Sequence, residues 1–226
     1  MVMVCALGVQ LVNRGRVDLT REVAPKMLTN PTTRRHTAGL VLLAGLVLYA
    51  LSEPLLSQAP GVTAEGHLGA VFSYYLKDGG VWRQDNEEHD ARSDSPVAYI
   101  KRYQWGPGRA IVVDDTFALM ADGECQPWTH NVFHWDIAES AVRGQVFHRA
   151  GVWASGLIRM AAEHQSTAEF TVVLPDGTES KMRDRTDLSD PHRAVVTAFL
   201  RDREAWKEGD QVSWAHVTTR DKPCGF

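Results

Sequence analysis

The chain is poor in the residue patterns that announce a reaction. It has three cysteines in 226 residues, at positions 5, 125 and 224, and no Cys-x-x-Cys. That excludes the paired-thiolate zinc and redox motifs. Nine histidines are present, but no His-Glu-x-x-His. His130 and His134 stand four apart on a stretch that reads as turn and strand, so they share no helical face. No metal ligand set follows, and the histidines read as surface or structural residues. No serine sits in a Gly-x-Ser-x-Gly elbow, and Ser155-Gly156 lacks the preceding glycine at the required place. The acids between Asp85 and Asp94 do not have the spacing of a calcium loop. Positive charge is not in excess either. The net charge is −4, which argues against a general nucleic-acid binder.

Long apolar runs are also scarce, and the exception organises the chain. Ala38 to Leu51 carries no charge and follows Arg34 and Arg35. As a helix it spans about 21 Å, short of a hydrocarbon core of about 30 Å unless it continues to Leu56 past Glu53 and Pro54. The arginines before it place the C-terminal part outside the cytoplasm. With Met27 as the start, the run is the h-region of a signal peptide with Ala50-x-Ser52 as its cleavage site. With Met1 as the start, it is an uncleaved anchor. A buried core helix is the remaining alternative. The sequence therefore divides into a basic, irregular segment 1–36, a signal peptide or single transmembrane helix 37–56, and a linker with a short helix 57–77. A β domain 78–219 and a tail 220–226 complete it. The expected location is extracytoplasmic, either anchored in the membrane or secreted into the periplasm.

What the domain has in abundance is strand signal. The 44% apolar and 23% charged fractions are those of a globular protein able to bury a core. Short β-type runs recur at regular spacing from residue 97, about nine in number, with no long helical period between them. Asp114-Asp115 reads as a break between two short strands, 110–113 and 117–120. Pro175-Asp176-Gly177-Thr178 has the chemistry of a tight hairpin. Asp184-Arg185-Thr186-Asp187 reads as a solvated turn. The spacing predicts an all-β fold, an up-and-down antiparallel barrel. A sandwich is the alternative.

Period-two alternation gathers aromatics on single faces. Tyr99, Tyr103 and Trp105 share one, Phe133, Trp135 and Ile137 another, and Val212, Trp214 and His216 a third. In a barrel these faces point inward, where they either fill the interior or leave room for one small ligand. Small residues at Ala154 and Gly156 favour a cavity. The expected ligand-binding residues are Tyr99, Tyr103, Trp105, Trp135, Trp214 and His216. If the domain is exported, Cys125 and Cys224 enter an oxidising space without Cys5, and the two are a disulfide candidate.

Gly80-Val81-Trp82 sits where lipocalins carry Gly-x-Trp on their first strand. With Phe133-His134-Trp135-Asp136 and Leu174-Pro175-Asp176-Gly177, residues 78–219 resemble the uncharacterised lipocalin-like, calycin-type barrel proteins of bacteria. In place of the second lipocalin signature, a Thr-Asp-aromatic turn, stands Thr186-Asp187-Leu188. The resemblance implies a calycin-type barrel able to hold a small, mostly apolar molecule, and no specific ligand. The N-terminal apolar run makes the membrane a further expected partner, and no cofactor is expected. Haem held by an inward histidine such as His216 is a minor alternative. So is an enzyme on the same barrel, with an inward His or Asp such as Asp136 transferring a proton.

Overall fold

The structure, a computed structural model, describes residues 63–90, 94–218 and 223–226. The apolar run 38–51 and the expected boundaries before residue 63 lie outside these residues. Among the described residues no helix is long and apolar enough to cross a membrane.

The first element is helix α1, Ala64–Leu76. Thr63 caps it, its hydroxyl accepting the Gly66 N–H at 3.2 Å. The helix ends in a left-handed turn with positive φ at Asp78, Gly79 and Gly80. Gly80 has a second reason to be glycine: a Cβ there would lie 2.3 Å from the carbonyl oxygen of Tyr103. This close approach lets Tyr103 N–H donate to Gly80 O and starts the first strand.

Ten strands follow: β1 (Val81–Asp85), β2 (Ala98–Trp105), β3 (Ile111–Leu119), β4 (Cys125–Asp136), β5 (Ala141–His148), β6 (Trp153–Ala162), β7 (Gln165–Val173), β8 (Glu179–Asp190), β9 (Arg193–Asp202) and β10 (Ala205–His216). Each pairs antiparallel with its sequence neighbours, and β1 pairs with β10, so the meander closes into a barrel. The all-β barrel expected from the sequence is the fold. The sandwich alternative, which needs two separate sheets, is excluded by the closure of all ten strands into one.

Two expectations about acids are corrected. Asp114-Asp115 does not separate two strands: β3 runs through both, and Asp114 is 0% exposed on its inward face. Asp184 to Asp187 is not a solvated turn but the middle of β8, with Asp184 and Thr186 buried. Polar residues lowered the apparent strand signal because they line the inside, where a sequence reading expects apolar side chains.

Helix α1 packs into one end of the barrel. Leu68, Phe72 and Tyr75 are buried there, with the Phe72 ring 5.0 Å from Phe133 and Tyr75 stacked 4.8 Å from Tyr103. Trp82 of the Gly80-Val81-Trp82 motif fastens the arrangement, its indole N–H donating to Tyr75 O at 2.9 Å. The small wall residues do not leave an open cavity at this level. A Cβ at Gly144 would lie 2.9 Å from the Phe133 ring and 3.2 Å from Phe170, and one at Gly156 would strike Glu169 O at 2.0 Å. Gly144 makes room for the large rings, and Gly156 for the neighbouring backbone, rather than for a ligand.

Candidate functional site

The inner surface of β2–β5 carries a continuous polar wall. Alternation along each strand aims Lys101, Asp114, Thr116, Thr129 and Asn131 at the barrel interior, and all are buried. Lys101 Nζ lies 3.1 Å from Asp114 Oδ2, with both side chains at most 1% exposed. Asn131 Nδ2 donates to the same oxygen at 3.0 Å, and Thr116 Oγ1 to Asp114 Oδ1 at 3.4 Å. The ammonium also rests 4.8 Å from the Trp214 ring centroid, a cation–π contact. Burial holds the Asp114 carboxyl above the usual carboxylate range, against the pull of Lys101 and Asn131. Asp184 stands on the opposite wall, in register with Ala168 and Ala198. Tyr75 reaches in from α1, and burial pushes its phenol well above the ordinary tyrosine value.

The wall extends toward the end away from α1. A bulge between Thr116/Phe117 of β3 and Thr129/Pro127 of β4 inserts Trp128, which packs inward. Its ring lies 5.6 Å from Tyr99 and 5.0 Å, edge to face, from His148. Burial, and then the Arg149 charge, lower the His148 pKa. Toward this end of the wall, Asn131 Oδ1, Trp128 Nε1 and His148 Nε2 meet no hydrogen-bond partner among the described residues.

One seam of the barrel is loose. β1 pairs with β10 only at Trp82↔His216 and Arg83↔Ala215, then parts from it. A cleft of about 660 Å³ occupies the gap, bordered by Gln84 and Asp85 on β1 and by Gln211, Val212 and Ser213 on β10, with Tyr99 also lining it. Its rim is charged. Arg83 is paired with Asp85 at 2.7 Å, Arg193 donates to Ser213 Oγ, and Glu87, Glu88 and Asp210 stand close by.

The six residues expected at a ligand are not gathered in one place. Tyr99 lines the seam cleft, whereas Tyr103 is buried beneath α1. Trp214 is buried against Lys101. Trp135 is stacked 3.8 Å from His67 at the start of the helix, and Trp105 lies under the Arg109 guanidinium. His216 is engaged at the helix end, its Nε2–H donating to Lys77 O at 3.3 Å and its ring edge-on to Trp82. Ile137 is 84% exposed beyond the end of β4. Asp136 is held by Arg143 at 2.7 Å, which draws its carboxyl below the usual range. The sequence pattern does not single out Lys101, Asp114, Asn131, Trp128 or His148. Asn131 and His148 carry a usable signal, since each lies in phase with apolar neighbours on its strand. Trp128 has none, because the bulge shifts its phase.

Cys125, at the start of β4, is bonded to Cys224, 99 residues later. The tail then lays Phe226 against Phe117 and under Arg102 on the outer face of β2 and β3. Neither a protein-family model nor a curated protein sequence matches this chain.

Proposed function

We propose that residues 63–226 form an exported binding domain, secreted or anchored through the N-terminal apolar segment, that takes a small, mostly apolar molecule bearing a polar group. The observation that carries this is the cleft where β1 and β10 part, with Tyr99 on its lining and the polar wall beyond Tyr99. A barrel interior built only for packing has no use for a buried ion pair and spare hydrogen-bonding atoms, which cost stability unless something satisfies them. The bonded cysteines support an oxidising compartment. Trp82, buried where a barrel end is closed, supports the lipocalin-like resemblance, although ten strands exceed the eight of lipocalins. His216 is too engaged at the helix end to favour haem.

Native mass spectrometry of the domain purified from its own host tests the reading. A bound molecule released on denaturation is expected, and a bare mass in every preparation sinks it. Cross-linking the seam through Asp85→Cys and Ser213→Cys should abolish retention of that molecule. A reporter active only outside the cytoplasm, fused after Phe226, should be active.

A further inference from the structure

We propose that the end of the barrel away from α1 holds a binding site for a carboxylate, with the indole N–H of Trp128 and the imidazole Nε2–H of His148 as its two donors. This rests on the binding-domain reading and assigns a chemistry to its ligand.

The tautomer of His148 is fixed by the fold. Its Nδ1 accepts the Ala150 backbone N–H at 3.0 Å, so in the neutral ring the proton sits on Nε2. That N–H is buried, on a residue 7% exposed, and meets no acceptor among the described residues. The indole N–H of Trp128 is in the same condition. An indole nitrogen can only donate, so no rotation of the ring rescues it. The two rings lie 5.0 Å apart on neighbouring strands, with Thr129 directly opposite His148. Two orphaned donors on adjoining rings call for an acceptor. A cationic or purely apolar ligand leaves both unsatisfied, whereas a carboxylate offers each an oxygen.

Charge selects an anion over a neutral carbonyl. The Arg149 guanidinium carbon lies 5.4 Å from the Trp128 ring centroid, held in place by Gln126 Oε1 at 3.0 Å. Burial together with this charge lowers the His148 pKa, which favours the neutral ring. The approach is aromatic. Tyr99 lines the seam cleft and packs on Trp128, which packs on His148, with small Ala118 in register with Tyr99 on the wall between. A flat, apolar body with a carboxylate at one end suits this row.

The probe is benzoate, compared with benzylamine and benzyl alcohol, titrated into the full chain and followed by calorimetry and by the indole N–H resonances. Benzoate should move the Trp128 N–H resonance saturably and bind at least roughly tenfold more tightly than benzylamine, as hydrogen bonds to a charged acceptor require. His148→Phe and Trp128→Phe keep the ring packing and remove one donor each. Either should weaken benzoate binding by roughly tenfold while leaving benzyl alcohol unaffected. If one variant fails to fold, the other variant and the comparison of the three compounds still decide. Equal binding of all three compounds, or benzoate binding unchanged in both variants, overturns the carboxylate site and leaves the binding-domain reading standing. No saturable benzoate response at millimolar concentration also overturns it, and the native mass spectrum then decides separately whether the barrel carries anything else.

Discussion

At the helix end of the barrel, three ring groups find backbone acceptors, while the buried Tyr75 hydroxyl and, further in, the Trp214 indole N–H meet no hydrogen-bond partner among the described residues. The Trp82 indole donates to Tyr75 O, the Tyr74 hydroxyl to Asp190 O and the His216 ring to Lys77 O. At the other end, Trp128 and His148 bury donors with no acceptor, and Asn131 keeps a bare oxygen. The two ends therefore differ in degree: the end away from the helix gathers two orphaned donors on adjoining rings, Trp128 and His148. Two adjoining donors without an acceptor are a feature that packing alone makes costly.

The largest expected effect comes from splitting the ion pair that anchors the polar wall. Lys101→Met or Asp114→Leu alone leaves a buried charge without its partner and should cost about 3–5 kcal/mol in urea unfolding. The double variant should recover most of that loss, because two apolar side chains of similar volume avoid both desolvation penalties. A double variant that is stable yet binds no ligand marks the pair as functional. One that binds normally marks it as scaffold, and erases the contrast between the two ends.

Next in size is the disulfide, which fastens the tail at the end away from the helix. Closing a loop of this length is worth up to about 4.7 kcal/mol in the chain-entropy model, and native bridges commonly contribute about 2–4 kcal/mol. Cys125→Ser with Cys224→Ser should lower the unfolding midpoint accordingly. A thiol assay on the unfolded, unreduced domain should find neither cysteine reactive. Two reactive thiols would remove the bridge, and with it the support for an oxidising compartment.

A smaller effect tests the helix end. Trp82→Phe keeps a ring in place and loses the bond to Tyr75 O, so about 1 kcal/mol of stability should go, with ligand retention unchanged. Loss of retention instead would show that the helix governs the site.

Barrel architecture was legible because alternation, turn chemistry and strand spacing are local properties. The hairpin at Asp176-Gly177 and the β2 limits 98–105 follow directly from them. The candidate site was less legible, for three physical reasons. Inward polar residues mimic turns, which hid β3 behind Asp114 and shortened β8 at Asp184. A bulge breaks the period of two, which hid Trp128. Alternation makes inward aromatic residues look like a pocket lining, but Tyr103 is packed under a helix whose docking is a tertiary event. Which inward residues remain available to a ligand depends on that docking, and periodicity does not report it.

The smallest expected effect is a pH dependence, and it can be assigned to an end. Burial lowers the pKa of His148 at one end and of His216 at the other from an ordinary value of 6.5. Between the lowered folded value and 6.5 the unfolded chain binds a proton that the folded chain refuses. Stability is therefore fully present above pH 6.5 and declines as the pH falls through that window. His148→Phe and His216→Phe should each flatten part of the decline, measured as the urea midpoint between neutral and mildly acidic pH. Only His148 should also respond to ligand. A bound anion favours the imidazolium, so benzoate should raise the His148 pKa, followed by its ring resonances, and leave His216 where it was. Equal movement of both histidines, or of neither, would show that the two ends do not differ in the way their hydrogen bonds suggest.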